Sequence, residues 1–457
     1  MKKLIRWDFS RTREINKNKR VIHMQKISIK NLGPIKEFES DLSKMNLLIG
    51  EQATGKSTIC KSVYFFRRIK DEIIAYLYNI ATVEGFDGGN RFPGVLNRKI
   101  KDVFVQLFGV SWELDDALTM NYDYGNGRYI KLSVSGGKKY LDVRYSKILT
   151  NELRKLEEDL AGTMKQYEGM DLSFATTERS RIHKEIRNRV NGIFNDFYST
   201  YYIPAGRQLL VLLSGQKTKI DYTDLDLVNR NFMQFNESIQ TQFRGGIKKL
   251  HTYYPVSERK FNVSNISNRL IHGLKGDYQA TTLGEYLVVD ENHRVLINQA
   301  SSGQQELLWL FNQLYVLMLR EESSFVIIEE PEAHLYPSLQ HKVFEFITEF
   351  TNLNNSAALV TTHSPYMLTS ANVLYYAGRI AGRGNHGEAL QKILHPSKYV
   401  HPDQFTAWKL NVNGAVESLV DEEYEDLRSS LIDEVSEEID RLYTKLYYYE
   451  VEHEKQK

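Results

Sequence analysis

From Met24 onward the chain alternates apolar and polar side chains. KISIKNLGPIKEFESDL carries that alternation on both sides of a Gly33-Pro34 turn and predicts a half-buried hairpin. MNLLIG, Met45 to Gly50, is a short unbroken apolar run of the kind that forms a buried strand. It leads through GEQATGKS into TICKSVYFFRRIKDEIIAYLYNI, which predicts a long helix. The order is strand, glycine loop, helix.

The pattern changes over residues 85–198. YDYGNGRYIKLSVSGGKKYLDVRYS predicts a β-meander with Gly-rich turns. Two charged amphipathic stretches follow, one with Leu153, Leu156, Leu160 and Met164 on a single face, the other with Ile182, Ile186, Val190 and Phe194. They predict a helical hairpin, with too few heptads for a long coiled coil. STYYIPAGRQLLVLL then predicts a strand returning to the main sheet and a helix. EYLVVDENHRVLINQ predicts a hairpin, and ASSGQQELLWLF opens a buried helix. After it, the strands SFVIIEE and ALVTTHSP flank a further helix. Strands alternating with helices predict an α/β fold with a mixed, largely parallel sheet.

Composition narrows the function. The 457 residues carry a formal net charge of +1, so contact with nucleic acid would need a local basic patch. A single cysteine, Cys60, excludes a disulfide framework and suits a reducing, cytoplasmic setting. The longest apolar run, Leu307 to Leu319, is too short to span a bilayer, and we expect no membrane association. Residues 1–23 are basic without an apolar h-region, and read as an arm rather than a signal peptide.

Three segments carry chemistry. GEQATGKS fits G-x-x-x-x-G-K-[ST], a loop whose backbone N–H groups cradle phosphates at a helix N-terminus. Gly50, Ala53, Thr54, Gly55, Lys56, Ser57 and Thr58 are the candidate nucleotide ligands. Lys56 is expected on the β- and γ-phosphates of the nucleotide and Ser57 on Mg²⁺. SFVIIEEPEAHLYP delivers two carboxylates to the carboxyl edge of the sheet, Glu329 for the metal and Glu330 to orient or deprotonate the attacking water. ALVTTHSPYML ends a third buried strand at His363, a candidate γ-phosphate sensor. The polar cluster before Leu307 places Ser302, Gly303 and Gln305 at a helix N-terminus, where free N–H groups favour an anion. Since the chain has its own phosphate loop, this second anion-reading end is expected to act in trans, on the nucleotide of another copy. A plain serine N-cap accounts for Ser301 or Ser302 but leaves the Gly-Gln-Gln cluster over.

In this order the motifs resemble the ABC-type ATPases of the branch containing RecF, SMC and OLD proteins. GEQATGKS corresponds to Walker A, SSGQQE to the signature motif, VIIEE to Walker B and TTHS to the histidine switch, with PEAHLYP at the D-loop in the OLD manner. The resemblance covers Met24 to Ile80 and Glu285 to Tyr376. It implies a P-loop ABC-type ATPase head whose sheet is interrupted by a helical and β insertion. It also implies a homodimer with ATP sandwiched between Walker A of one subunit and the signature of the other; assembly beyond the dimer is left open. Two departures stand out. The Q-loop glutamine has no clean match, Gln208 being the nearest candidate and Arg207 the alternative. Glutamate stands where Walker B usually has aspartate, which implies slow hydrolysis.

On this reading the chain divides into an arm (1–23), a first ATPase part (24–84), an insertion (85–198), a return strand and connecting region (199–284), a second ATPase part (285–395) and a C-terminal helical extension (396–457). After His363 there is no Asp-x-Asp pair of the kind a Toprim nuclease carries, so the resemblance points to compact members that act on a separately encoded effector, such as the ATPase subunits of the PARIS and Septu anti-phage systems. The competing reading is a RecF- or SMC-like DNA clamp, for which Arg179, Arg181, Lys184, Arg187 and Arg189 form a candidate basic face. A transporter subunit fits poorly with so large an insertion. Leu427, Leu431, Val435, Ile439, Leu442 and Leu446 predict a C-terminal amphipathic helix, with Tyr447 to Tyr449 beside it.

Overall fold

The computed structural model describes residues 25–82, 92–109, 117–134, 141–160, 172–214, 225–255, 261–384, 387–421, 426–427 and 441–446. The arm, Met164, Leu431, Val435, Ile439 and Tyr447 to Tyr449 lie outside these. The hairpin forms as expected: β1 (Gln25–Leu32) and β2 (Ile35–Leu42) pair antiparallel, with Leu32 opposite Ile35 across the two-residue turn. β3 (Met45–Gly50) follows, then the phosphate loop and α1 (Lys56–Thr82). The insertion holds α2 (Gly94–Phe108), the meander β4 (Thr119–Asp123), β5 (Tyr129–Val134) and β6 (Leu141–Tyr145), and the amphipathic helices α3 (Lys147–Leu160) and α4 (Leu172–Ile193).

The chain returns through β7 (Ser199–Ile203), α5 (Arg207–Ser214), α6 (Leu227–Gln240) and α7 (Val263–Leu274). A small antiparallel sheet follows, of β8 (Asp277–Thr281), β9 (Gly284–Val288) and β10 (Arg294–Leu296). Then come α8 (Ser302–Leu319), β11 (Ser324–Glu329), α9 (Pro337–Leu353), β12 (Ala357–Thr362), α10 (Pro365–Gly382), α11 (Gly387–Ile393), β13 (Phe405–Leu410) and β14 (Val416–Ser418).

The central sheet has the order β14-β13-β3-β12-β11-β7, parallel throughout except for the edge strand β14. Both faces are covered, which is why its strands read as unbroken apolar runs. Phe325, Ile327, Leu359 and Leu48 face the core shared with α1 and the insertion. Val326, Ile328, Val360 and Leu47 face the core built on α8, α9 and α10. α8 is apolar nearly all round and buried from Gln305 to Leu319. Among the described residues no helix is long and apolar enough to cross a membrane.

Two pairings differ from expectation. The meander does not stand alone: β4 pairs with β1, so hairpin and meander make one five-stranded sheet, β2-β1-β4-β5-β6. The segment expected to be a helical extension supplies β13, which pairs in parallel with the phosphate-loop strand from Phe405↔Met45 to Leu410↔Gly50. The closeness of that pairing explains a glycine: a Cβ on Gly50 would lie 2.4 Å from the Leu410 carbonyl oxygen.

Candidate functional site

Parallel register gathers the chemistry. Ile49 pairs with Thr362, Thr361 with Glu329, and Ile328 with Ile203, so β3, β12, β11 and β7 all end at one edge of the sheet. Parallel α/β sheets bind ligands at that edge. The phosphate loop turns there through Ala53 (φ 59°) and Gly55 (φ 98°), and a Cβ on Gly55 would strike Ile35. Thr54 is buried, and its hydroxyl donates to the Glu51 carbonyl (2.9 Å). Ser57 is exposed and Thr58 half-buried in the first turn of α1, where backbone N–H groups have no intrahelical acceptor.

Lys56 is buried, and its Nζ donates to the carbonyls of Gly50 (2.8 Å) and Glu51 (2.6 Å). Burial pulls its pKa below the ordinary lysine value, against the raising influence of Glu330 and Glu332. The same Nζ lies 3.4 Å from Nδ1 of His363, and Nε2 of that ring lies 3.1 Å from Oε1 of Glu330. An ammonium can only donate, so His363 Nδ1 accepts and Nε2 carries the proton toward the Glu330 carboxylate; the network assigns this tautomer. Lys56, His363 and Glu330 thus form one hydrogen-bonded chain.

β11 ends at Glu329, and Glu330 takes a left-handed backbone (φ 43°), uncommon for a residue with a side chain. Its N–H donates to the Thr361 carbonyl (3.0 Å). Glu329 is 6% exposed; Oε2 accepts from the Ala205 N–H at 3.4 Å, Oε1 has no donor in hydrogen-bonding geometry, and the buried Tyr202 hydroxyl interacts with this carboxylate. A hard cation takes oxygen ligands of this type, so the buried Glu329 carboxylate together with the exposed Ser57 hydroxyl fits Mg²⁺. Among the described residues no group of three or more His, Cys, Asp or Glu could hold a metal ion.

A phosphate loop, two carboxylates and a histidine thus lie at one sheet edge, a donor set suited to a nucleotide. The family model described as AAA ATPase domain matches residues 23–368. The chain belongs to that family. No curated protein matches it. Three solved structures align loosely with this ATPase domain. An SMC head bound to the C-terminal winged-helix domain of ScpA has 13% identity, 88% of this chain and 98% of that one covered, and a TM-score of 0.41. The SMC head domain from Thermotoga maritima has 13% identity, 76% and 91% coverage and a TM-score of 0.33. An Smc head with an extended coiled coil bound to the C-terminal domain of ScpA, from Pyrococcus furiosus, has 11% identity, 91% and 100% coverage and a TM-score of 0.37. At such scores these add nothing to the family match.

The ATPase domain uses its signature-like helix differently from expectation. Ser301 is the N-cap of α8 in a capping box with Gln304: the Gln304 side chain accepts from the Ser301 N–H (3.0 Å) and in turn donates to the Leu274 carbonyl (2.8 Å). Gln305 is 2% exposed, and its Nε2 donates to the Ile297 carbonyl (2.8 Å). The glutamines therefore hold the helix in place, and the Gln305 side chain is no ligand for an anion in solvent. Ser302 and Gly303 stay half-buried in the first turn. A Cβ on Gly303 would come within 2.9 Å of the His334 carbonyl, so this glycine lets α8 pack against the PEAHLYP loop.

Arg207 is not a nucleotide-facing Q-loop group either, because it is 0% exposed and committed to protein acceptors. Nη1 donates to the carbonyls of Pro204 (2.8 Å) and Glu329 (2.7 Å), Nη2 to that of Glu330 (3.0 Å) and Nε to that of Glu306 (3.0 Å). Nε also lies 3.1 Å from Glu306 Oε2. Burial lowers its pKa, opposed first by Glu306. Gln208 is half-buried, and its backbone N–H donates to Glu306 Oε1 (3.1 Å).

Glu332 escaped the sequence reading. Its buried Oε1 accepts from the Thr362 hydroxyl (2.5 Å) and the His363 N–H (2.8 Å), fixing the strand end that carries the histidine. Its place two residues after Glu330, in PEAH, was the available signal. Of the basic run on α4, Arg181 pairs with Glu178 and Arg189 with Asp159, as on a solvated helix face.

Proposed function

We propose that this ATPase domain binds ATP and Mg²⁺, dimerises head to head through the nucleotide, and uses slow hydrolysis to time the release of a separately encoded effector, a nuclease or toxin, in bacterial anti-phage defence. The observation that carries the hydrolytic part is the chain from Lys56 through His363 to Glu330. Gly50, Ala53, Thr54 and Gly55 shape the loop, and the first-turn N–H groups of Lys56, Ser57 and Thr58 receive phosphate oxygens. Lys56 exchanges its two carbonyl acceptors for phosphate oxygens. Ser57 and Glu329 would hold Mg²⁺, which when bound would neutralise charge developing on the phosphates. Glu330 accepts the proton of the attacking water, and His363, already donating toward Glu330, senses the γ-phosphate. Ser302 and Gly303 at the α8 N-terminus offer backbone N–H groups to the partner's γ-phosphate. Gln208 is the remaining candidate for the Q-loop.

Within this reading, Lys56→Ala loses ATP binding. Glu330→Gln keeps binding, loses about two to four decades of hydrolysis and accumulates an ATP-bound dimer. Nucleotide binding, phosphate release and light scattering check each part; ordinary turnover by Glu330→Gln sinks the base assignment. The effector is tested by tagged purification from the native gene neighbourhood. A stoichiometric nuclease or toxin supports the defence role, whereas nucleic acid alone supports a DNA clamp. The pairing of Arg181 and Arg189 with carboxylates gives the clamp reading no particular support.

A further inference from the structure

We infer that Arg207 is a positioning residue that links the two ATP sites of the dimer, transmitting the state of the α8 N-terminus to Glu330. This rests on the sandwich dimer proposed above, in which each subunit's α8 reads the nucleotide held by its partner. Arg207 joins three segments. On one side it holds α8 through a hydrogen bond to the Glu306 carbonyl (3.0 Å) and an ion pair with the Glu306 carboxylate (3.1 Å), one turn beyond Ser302 and Gly303. On the other it holds the carbonyls of Glu329 (2.7 Å) and Glu330 (3.0 Å), at the point where the backbone turns left-handed. Its third anchor is the Pro204 carbonyl in the loop after β7 (2.8 Å).

A guanidinium is a rigid planar fork, so displacement of one anchor is felt at the others. The left-handed backbone of Glu330 is a conformation that surrounding contacts must hold. Arg207 supplies one of those contacts, and the Thr361 carbonyl supplies another through the Glu330 N–H. A shift of α8 when an anion docks at its first turn therefore pulls on the carbonyl of the residue that activates water. The brace is sealed from solvent, with both Arg207 and Glu306 buried, so water does not replace a lost bond.

The test compares Arg207→Lys and Glu306→Gln with the full-length wild type. Lysine keeps the buried charge beside Glu306 but is a point donor that cannot span α8 and Glu330 together. Glutamine keeps an acceptor for the Gln208 N–H and removes the ion pair. We expect ATP affinity and ATP-driven dimerisation within about threefold of wild type, with single-turnover hydrolysis falling about a hundredfold in Arg207→Lys, the cost of roughly an ångström of misplacement. We also expect positive cooperativity of hydrolysis in ATP to disappear, and the double variant to lose no more than the weaker single variant, because both break one brace. A role in folding alone would lower Tm and ATP affinity together and leave kcat per folded dimer unchanged. Wild-type hydrolysis and cooperativity in a folded, dimerising Arg207→Lys protein would overturn the inference. Failure of the wild type itself to dimerise with ATP would count instead against the sandwich.

Discussion

Glu332 shows how much of this site depends on one acceptor. A carboxylate oxygen accepting from both a hydroxyl and a backbone N–H fixes a strand end more firmly than a neutral group does. Glu332→Gln retains the shape but weakens both bonds, and its amide can turn either end toward His363. We expect hydrolysis to fall about tenfold, roughly 1.4 kcal/mol in the barrier, with ATP affinity nearly unchanged. A matched loss of ATP affinity in equilibrium binding would instead make Glu332 part of the nucleotide site. At this scale Lys56, Ser57, Glu329, Glu330 and His363 were legible because each sits in a short motif whose spacing the chemistry dictates. The bracing roles of Arg207, Glu306 and Glu332 were not, since their partners lie across the fold, 99 positions apart for Arg207 and Glu306 and 30 for Glu332 and Thr362, where local spacing shows no pairing.

Among the elements, α1 joins the phosphate loop to the insertion through a buried charge cluster. Asp196, after α4, accepts from Arg67 Nη2 (2.7 Å) and lies 3.1 Å from Lys70 Nζ, while Arg67 Nη1 donates to Gln25 of β1 (2.8 Å). All three charged groups are buried. Burial by itself would raise the Asp196 carboxyl, but Arg67 and then Lys70 outweigh it and hold the group below the ordinary carboxylate value. A depressed folded-state pKa contributes stability that is fully present above the unfolded value and is lost as pH falls through the folded one. Asp196→Ala leaves two buried cations without their anion, so we expect a loss of about 3–5 kcal/mol at neutral pH. The acid limb of the stability curve should also flatten. Chemical denaturation as a function of pH reads both, and an unchanged curve would mean that the cluster contributes nothing to folding.

For the whole molecule, the alternation of strand and helix was enough to predict an α/β fold with a largely parallel sheet, because period and punctuation are local properties. It was not enough to place β13. FTAWKL follows a His- and Pro-containing stretch that forms only single 3-10 turns, Pro396–Lys398 and Pro402–Gln404, yet it joins the sheet beside β3. The pairing of β4 with β1 was hidden for the same reason, both being long-range hydrogen-bonding choices among several compatible strands. On the proposed account the parallel register brings half of an ATP site to one edge. The other half, on the proposed account, is the α8 N-terminus of a second copy.

That claim is tested most directly by mixing two inactive proteins. Lys56→Ala removes the phosphate lysine, and Ser302→Arg blocks the first turn of α8. A mixed dimer contains one composite site with an intact phosphate loop from the Ser302→Arg subunit and an intact α8 from the Lys56→Ala subunit. We predict that each protein alone is inactive and that the mixture recovers ATP hydrolysis. No hydrolysis from a mixture of folded proteins shown to form mixed dimers, or full activity in Ser302→Arg alone, would contradict a site completed in trans.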